Sequence, residues 1–544
     1  MHRKLALVLL LATGMATVAL TGCGAGGSAS SPAAPGSTPP TSSTHTDVTT
    51  YRNDVARTGA NTTESVLTPT NVNSSSFGLL RMLTVDGKVD AQPLYLSQLS
   101  IAGATHDVVF VATENDSVYA FDPQTGATLW HVSLLGSGET PSDDRGCDQI
   151  TPEIGVTSTP VIDSGAGPNG AIFVVAMSKD SSSNYYQRLH ALDITTGAEL
   201  FNGPVVVNPT YSSAAGGQQT FSPGQYAERA ALLLENGTVY TAWTSHCDIQ
   251  PYSGWVVAYS ESTLAQTAVL NIAADSNGGP SIWMSGSGLA ADTSGNIYLL
   301  SANGDFDTTL NSSGLPQYGD YGNSFVKLST AGGGLTVADF FAPFNEVAES
   351  AADEDLGSGG VMLLPDLTDS GGTVRHLMVG AGKDGNLYVI NRDSMGKFSP
   401  SGDADWQELD GVFGGGVFST PAYFNGTIYY GGVGGPLEAF AVTGAKLSSQ
   451  PVSQTTTEFP YPGAAPAVSA DGTSDGIVWA VENSDPAVLH AYDATDLSQE
   501  LYNSNQAAGG RDNFGAGNKF ITPEIADGMV FVGTTNGVAV FGLL

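Results

Sequence analysis

The chain has few basic residues for its size. Its 544 residues include 18 Lys and Arg against 53 Asp and Glu, which gives a formal net charge of −35 at pH 7. A surface of this charge repels nucleic acid and anionic lipid headgroups. We therefore expect no nucleic-acid partner, and contact with a membrane only through an anchor.

Long apolar runs are absent except near the N-terminus. There the basic start "HRK" precedes an apolar segment at residues 5–20, which is shorter than the roughly 20 residues needed to span a bilayer. The segment ends in "LTGC", which resembles the lipobox of bacterial lipoproteins. The resemblance implies that residues 1–22 are a signal peptide and that Cys23 is lipidated. It places the protein in the bacterial cell envelope, lipid-anchored at the outer membrane and periplasm or at the cell surface.

Apolar residues are also scarce in the stretch that follows. It reads "GAGGSASSPAAPGSTPPTSSTHTD" after Cys23, and such a composition cannot bury enough surface to fold. We therefore predict a Gly/Ser/Pro/Thr-rich tether at residues 23–50 and a folded domain at 51–544.

Helical periodicity is missing from the domain, which instead repeats one β pattern. In "VVFVATENDSVYAFDPQTGATLW", short apolar runs alternate with polar turns, which predicts three antiparallel strands. The pattern returns seven times, and the positions that match Asp122 are Asp193, Ser260, Ser329, Asn391, Ala441, Asp493 and Gly542.

A further short strand, such as "STPVID" or "ITPEIADG", precedes most units. Each unit then holds four antiparallel strands, named a to d in chain order, and four-stranded sheets repeated around an axis form a β-propeller. The eighth unit stops at Leu544 after its third strand, and residues 77–87 can supply the fourth. The predicted fold is all-β, an eight-bladed β-propeller of four-stranded antiparallel blades, with the ring closed by this N-terminal strand.

The turns carry a motif that resembles one family. Ala120-x-Asp122-x-x-Thr125-Gly126-x-x-x-Trp130 is similar to the tryptophan-docking motif of the quinoprotein, or PQQ-like, eight-bladed propellers. The second copy has Phe201 in place of the Trp. The resemblance implies that neighbouring blades dock through Asp122, Thr125, Gly126, Trp130, Asp193 and Gly197.

Loop lengths differ between the two faces of the predicted ring. The a–b turns are short, as at Asn236-Gly237 and Asn425-Gly426, whereas long polar insertions occur in b–c loops and in the crossings between blades. We call these sides the short-turn face and the long-loop face. Functional side chains concentrate on loops that a rigid scaffold holds. We therefore expect the ligand site in a funnel on the long-loop face, and an inert short-turn face.

Cysteine is rare, and two cysteines remain if Cys23 is lipidated. Cys147 lies in the crossing from blade 1 to blade 2 and Cys247 in the b–c loop of blade 3, on the same face. Because exported proteins keep disulfides, we predict a Cys147–Cys247 disulfide. Two free thiols, or a soft-metal pair with His246, are the alternatives.

The long loops also supply candidate ligand-binding residues. The predicted funnel residues are Asp148, Glu153, His246, Asp248, Trp283, Lys383 and Arg511. Converging carboxylates repel one another unless a cation or buried hydrogen bonds compensate, and oxygen ligands from separate loops suit Ca²⁺. A cation site would use Asp305, Asp307 and Asp355, with turn capping as the alternative. Lys383 and Arg511 either orient an anionic group or pair with nearby carboxylates.

Two functions are compatible with this reading. The quinoprotein resemblance implies a dehydrogenase that oxidises an alcohol or sugar with PQQ and Ca²⁺ in the funnel, but the chain lacks the family's usual adjacent Cys-Cys pair. It also lacks Cys-x-x-Cys-His, so no attached haem is expected. The other precedent is a lipid-anchored propeller that docks proteins. Our first expectation is a monomeric, membrane-anchored binding or scaffold module for a protein or carbohydrate ligand, without a cofactor; the PQQ-dependent oxidoreductase is the alternative.

Overall fold

The computed structural model describes residues 45–276 and 278–544. The predicted signal peptide, Cys23 and the tether up to residue 44 lie outside the described residues. Within the described ranges an α-helix occurs at Glu346–Ala351, and no helix there is long and apolar enough to cross a membrane.

Antiparallel strands form eight blades around an axis. In each blade the strands pair in the order a to d, from the inner edge outward. Strands b and c are apolar on both sides, because each blade packs against two neighbours; Ser117–Phe121, for instance, is buried at every position. The predicted eight-bladed β-propeller is confirmed.

The bounds of the strands follow the predicted repeat. Blade 1 has Leu94–Ile101, Ala104–Thr113, Ser117–Phe121 and Thr128–Ser133. Blade 2 has Val161–Asp163, Ala171–Asp180, Tyr185–Asp193 and Val205–Val206. Blade 3 has Leu233–Glu235, Thr238–Ser245, Trp255–Ser260 and Gln266–Asn271. Blade 4 has Ala290–Ala291, Ile297–Leu300, Phe325–Ser329 and Thr336–Phe341.

The second half of the ring is built in the same way. Blade 5 has Met362–Leu363, Leu377–Ala381, Leu387–Asn391 and Gln407–Leu409. Blade 6 has Ala422–Phe424, Thr427–Tyr430, Gly435–Thr443 and Ser453–Phe459. Blade 7 has Ala467–Asp471, Ser474–Glu482, Val488–Asp493 and Glu500–Asn503. Blade 8 has Glu524–Ala526, Met529–Gly533, Gly537–Leu543 and the N-terminal Phe77–Thr84.

Several short strands lie outside this pattern. Glu139–Asp143, Glu153–Ile154 and Tyr226–Glu228 extend blades 2 and 3, and Lys446–Leu447 pairs with the third strand of blade 6. Two hairpins pair Thr210–Ser212 with Gln218–Thr220, and Leu367–Thr368 with Val374–Arg375.

The ring closes as the sequence predicts. Phe77–Thr84 pairs antiparallel with Gly537–Leu543 and completes blade 8. Arg81 of this strand donates hydrogen bonds to the carbonyl oxygens of Pro123, at 2.8 Å, and Gln124. The closing strand therefore holds the first and last blades together.

The docking motif joins blade 1 to blade 2. Trp130 Nε1 donates a hydrogen bond to the Ile194 carbonyl oxygen at 2.9 Å. Gly197 has φ +71° and lies against the same indole, so that a Cβ at this position would come within 2.8 Å of Trp130 Cε3. Position 197 therefore needs glycine for two reasons. Glycine adopts a positive φ without strain, and it has no Cβ to clash with the Trp130 ring.

Asp122 and Asp193 shape the turns that carry this contact. Asp122 accepts a hydrogen bond from the Thr125 backbone N–H at 2.9 Å, and the Gly126 N–H donates to the Asp122 carbonyl oxygen at 2.8 Å. The Gly197 N–H donates in the same way to the Asp193 carbonyl oxygen at 2.8 Å.

A segment that the sequence prediction missed crosses the centre of the ring. We call residues 48–61 the channel segment; its buried residue Val48 pairs with Tyr95 of blade 1. Residues 48–50, which the prediction assigned to the tether, are therefore packed within the propeller. The channel segment bonds to all eight blades at their inner strands, through Tyr95, Ile162, Leu232, Ala291, Leu363, Tyr423, Val468 and Ile525.

Two buried arginines anchor the channel segment. Arg57 is fully buried and donates hydrogen bonds to the carbonyl oxygens of Leu289 and Tyr51 at 2.7 and 2.8 Å. Arg52, 1% exposed, donates to the carbonyl oxygens of Pro421 and Pro466. Burial lowers the pKa of Arg57 to about 10, so its guanidinium remains charged at neutral pH.

We expect Gly197→Ala to destabilise the propeller more than Gly103→Ala. Both positions have positive φ, but a Cβ at Gly103 meets nothing within 4 Å, so the control carries only the backbone cost of about 1–2 kcal/mol. Displacement of Trp130 should add about 1–3 kcal/mol. Thermal unfolding of the two variants measures the difference, and equal melting temperatures would show that the Trp130 contact contributes little.

We expect Arg57→Met to lower the free energy of unfolding by about 2–4 kcal/mol, because buried carbonyl oxygens lose their donors. The matched control is Arg375→Met, which removes a 30% exposed ion pair with Asp369 and should cost less than about 1 kcal/mol. Urea unfolding of both variants tests this. A loss no larger than that of the control would mean that the channel segment does not stabilise the ring.

Candidate functional site

The long-loop face contains a cavity of about 400 Å³, which we call the funnel. Its lining comes from crossings and b–c loops around the ring, as predicted. Of the predicted residues, the funnel brings together Cys147, Cys247, His246, Asp248, Trp283, Asp355 and Lys383. The lining residues that sequence reasoning missed include Gln149, Arg229, Asp353, Phe418, Tyr461 and Phe520.

Four aromatic side chains form one end of the funnel, which we call its floor. Trp283 lies with its ring centre 5.9 Å from that of Phe418 and 6.2 Å from that of Phe520, edge to face in both cases. Tyr461 packs edge to face on Phe418 at 5.3 Å. Trp283 is half-buried, so the floor offers apolar ring surface to a ligand.

A disulfide forms part of the wall. Cys147 and Cys247 are bonded, with 5.6 Å between their Cα atoms, so the crossing after blade 1 is tied to the b–c loop of blade 3. The predicted disulfide is confirmed, and it fits an extracytoplasmic location.

His246 and Asp248 flank this disulfide. Burial lowers the pKa of His246 to about 4, so the imidazole is neutral at pH 7. Its buried Nε2 atom has no hydrogen-bond partner among the described residues. Asp248 accepts a hydrogen bond from the Tyr252 hydroxyl at 2.8 Å. His246 therefore lines the funnel as a neutral, largely buried imidazole.

Lys383 neutralises two carboxylates at the funnel. Its Nζ atom lies 2.5 Å from Asp355 and 3.1 Å from Asp353, and 5.8 Å from the Trp283 ring centre. Burial raises the pKa of Asp355, and Lys383 opposes that shift. Of the two roles considered for Lys383, the structure shows pairing.

Three other predicted residues do not line the funnel. Arg511 pairs with Asp512 at 2.6 Å and donates to the Phe77 carbonyl oxygen at 3.0 Å, which fixes the closing strand. Asp148 is exposed beside the funnel. Glu153 pairs through its backbone with Asp143. Neither Asp148 nor Glu153 lines the cavity.

The predicted metal ligands do not meet at one point. Asp305 accepts a hydrogen bond from Ser276 Oγ at 2.8 Å and Asp307 one from the Tyr318 backbone N–H at 2.6 Å, whereas Asp355 pairs with Lys383. Over residues 45–276 and 278–544, the one group of three potential ligand side chains whose ligand atoms all lie within 4.8 Å is His45, Asp107 and Asp527. Asp527 in that group already accepts a hydrogen bond from the Tyr95 hydroxyl at 3.1 Å.

The short-turn face also has a cavity, of about 1000 Å³, between the channel segment and the turns of blades 4 to 7. Its polar groups are paired with one another: Lys327 Nζ donates to the Arg392 carbonyl oxygen at 2.9 Å, and the Tyr298 hydroxyl donates to Asp292 at 2.8 Å. None of the described buried polar atoms that lack a partner belongs to a residue lining this cavity, whereas two residues that line the funnel, Arg229 and His246, carry such atoms. The funnel is therefore the better candidate site.

Comparisons with known proteins agree with this architecture. Residues 84–240 match the family model PQQ_2, described as outer membrane protein assembly factor BamB. No curated protein sequence matches the chain. The similar solved structures include dehydrogenases of low sequence identity.

A quinohemoprotein alcohol dehydrogenase from Comamonas testosteroni is 16% identical, with a TM-score of 0.57 over 91% of this chain and 80% of that one. A quinohemoprotein alcohol dehydrogenase from Pseudomonas putida HK5 is 14% identical, with the same TM-score and coverages. A europium-containing methanol dehydrogenase is 14% identical, with a TM-score of 0.57 over 91% of this chain and 98% of that one. Similarity at these identities shows the fold alone: the chain is an eight-bladed β-propeller, the fold that these dehydrogenase structures share.

Proposed function

We propose that the protein is an extracytoplasmic binding module that is anchored to the bacterial cell envelope through Cys23 and binds a carbohydrate in its funnel. The observation that carries the proposal is the aromatic floor beside buried polar atoms without partners, Arg229 Nε and Nη1 and His246 Nε2. The match to a family model described as an outer membrane assembly factor supports the envelope location.

The size of the funnel favours a small ligand group over a large protein surface. Its volume of about 400 Å³ falls within the range of about 300–1,000 Å³ typical of small-molecule pockets. Ring faces such as that of Trp283 pack against the C–H face of a sugar. Hydroxyl groups can bond to the polar wall, which includes Gln149, Thr244, His246, Asp248 and Ser281.

A quinoprotein-type oxidoreductase is the second candidate, favoured by Trp283 and the disulfide on the wall. PQQ is a planar anionic quinone, and Trp283 and Arg229 suit such a ring. A divalent ion beside it would need several oxygen ligands, but Asp353 and Asp355 are paired with Lys383. The residues at the funnel thus do not fit a metal–quinone pair, and we derive no reaction through it.

A glycan microarray tests the first proposal. We expect the protein to bind a subset of glycans and Trp283→Ala to weaken that binding by about tenfold or more, as loss of an aromatic platform costs about 1.4 kcal/mol. Trp406→Ala is the control, because Trp406 lies outside the funnel and bonds to the Ala445 carbonyl oxygen. Absence of glycan binding, or equal losses in both variants, contradicts the proposal.

The second candidate has its own experiment. The purified protein is titrated with PQQ and Ca²⁺ and assayed for dye-linked oxidation of alcohols and sugars. Our proposal predicts no turnover, whereas stoichiometric uptake of PQQ with turnover would replace it by the oxidoreductase.

A further inference from the structure

A buried guanidinium without an acceptor lies at the inner end of the funnel. Arg229 is 5% exposed, and its Nε and Nη1 atoms have no hydrogen-bond partner among the described residues. Its Cζ atom lies 4.8 Å from the Phe520 ring centre. Arg57 of the channel segment shows the contrast, because its Nε, Nη1 and Nη2 atoms all donate hydrogen bonds. Burying donors without acceptors is costly, so these donors favour an acceptor from outside the chain, either a water molecule or a ligand group.

Further positive charge surrounds Arg229. Burial, together with the charges of Arg229 and Lys88, lowers the pKa of Lys519 to about 8. Lys519 Nζ donates to Gln149 Oε1 at 2.7 Å, and no ion pair to Lys519 is found among the described residues. Two further cations, Lys519 and Lys88, thus lie near Arg229, and the charge of Asp90 opposes their effect on Lys519.

The carboxylates nearby are already engaged. Asp90 lies 3.3 Å from Lys88 Nζ and accepts a hydrogen bond from Asn518 Nδ2 at 2.5 Å. Burial and the charge of Asp90 raise the pKa of Glu114 well above its ordinary value, and Glu114 Oε2 accepts hydrogen bonds from Gly155 N–H and Thr157 Oγ1 at 2.8 and 3.0 Å. Neither group bonds to Arg229.

Of the two spaces that Arg229 lines, the funnel is the one large enough for a ligand. Behind Arg229 and Phe520, next to Lys519 and Tyr51, is a void of about 10 Å³, which holds at most about one water molecule. Arg229 and Phe520 also line the funnel itself. A carboxylate at the end of a funnel-bound ligand can therefore reach the guanidinium, whereas a large anion cannot fit behind it.

We propose that Arg229, supported by Lys519, binds the carboxylate of an acidic sugar, a uronate, whose ring lies on the aromatic floor. This inference rests on the proposed carbohydrate-binding function and adds the class of sugar. Hydrogen bonds between a guanidinium and a carboxylate are stronger than those between neutral groups, and Nη2 is the Arg229 nitrogen that is not among the buried atoms without a partner. Asp248 at the funnel wall favours an orientation in which the carboxylate of the sugar points toward Arg229. The Asp248 carboxylate repels another carboxylate, whereas its oxygens can accept hydrogen bonds from the hydroxyl groups of the sugar.

Calorimetric titration of the full chain with galacturonate oligomers and with the matched neutral galactose oligomers tests the proposal. We expect the uronate to bind at least about tenfold more tightly. Arg229→Gln should abolish this preference, Arg229→Lys should retain part of it, and Lys519→Met should reduce it. Arg375→Gln, on a hairpin away from the funnel, is the control and should leave it unchanged.

The outcomes separate this inference from the proposed function. Equal affinity for the acidic and neutral sugars, or a preference that survives in Arg229→Gln, would overturn the anion site and leave the carbohydrate module standing. Binding of neither sugar, with no glycan bound on the array, would overturn both. Acetate that binds at Arg229 as tightly as the uronate would show a site for free anions and contradict the sugar assignment. If Arg229→Gln does not fold, the affinities of Arg229→Lys and Lys519→Met for the acidic and neutral sugars test the proposal instead. A preference for the uronate that is unchanged in both variants would contradict it.

Discussion

The hydrogen bonds between the channel segment and the eight inner strands hold the rest of the structure in place. Inner strands of a propeller face an axial channel, where their backbone groups need partners. Residues 48–61 supply those partners in every blade, and Arg52 and Arg57 extend the contacts to blades on opposite sides of the axis. Tyr51 of this segment lines a small void together with Arg229 and Phe520, both of which also line the funnel.

The buried arginines fall into two groups: Arg52 and Arg57 bond to the backbone of the ring, whereas Arg229 has donors that could bond to a ligand. Arg52 and Arg57 bond to backbone carbonyl oxygens contributed by distant blades, and these bonds exist only in the closed ring. Arg229 is buried to nearly the same degree but lacks such acceptors. In a strongly acidic domain most cations have carboxylate partners, as Lys383 and Arg511 do, so an unpaired buried guanidinium at the end of a cavity is the feature that most favours an anionic ligand group.

Much of the fold follows from the repeat. The pattern around Asp122 and Trp130 predicts the blades, the four-strand order and the closing strand, because each blade repeats the same alternation and turn chemistry. The shared face of the b–c loops and crossings also predicts that His246, Asp248, Trp283, Lys383 and the disulfide come together. The channel segment has no repeat to reveal it, since its partners are backbone groups spread around the whole ring.

The sequence predicts the residues of the site less well where a side chain is paired with a neighbour, because that pairing is visible only in the folded structure. Arg511 has Asp512 beside it, and Asp307 caps the loop at Tyr318, so neither is available to the funnel. Arg229 directly follows the short strand Tyr226–Glu228, and the Phe520 ring that packs on it comes almost 300 residues later in the sequence. The small number of basic residues in the chain is the one sequence signal that could have indicated Arg229 as a candidate, as it indicated Lys383.

The most direct test is hydrogen–deuterium exchange of the full protein with and without galacturonate oligomers. The account predicts slower exchange on ligand addition at residues 244–250, 281–286, 353–356 and 518–522, around the funnel. Protection confined to the short-turn face, at residues 292–296 and 423–427, would contradict it.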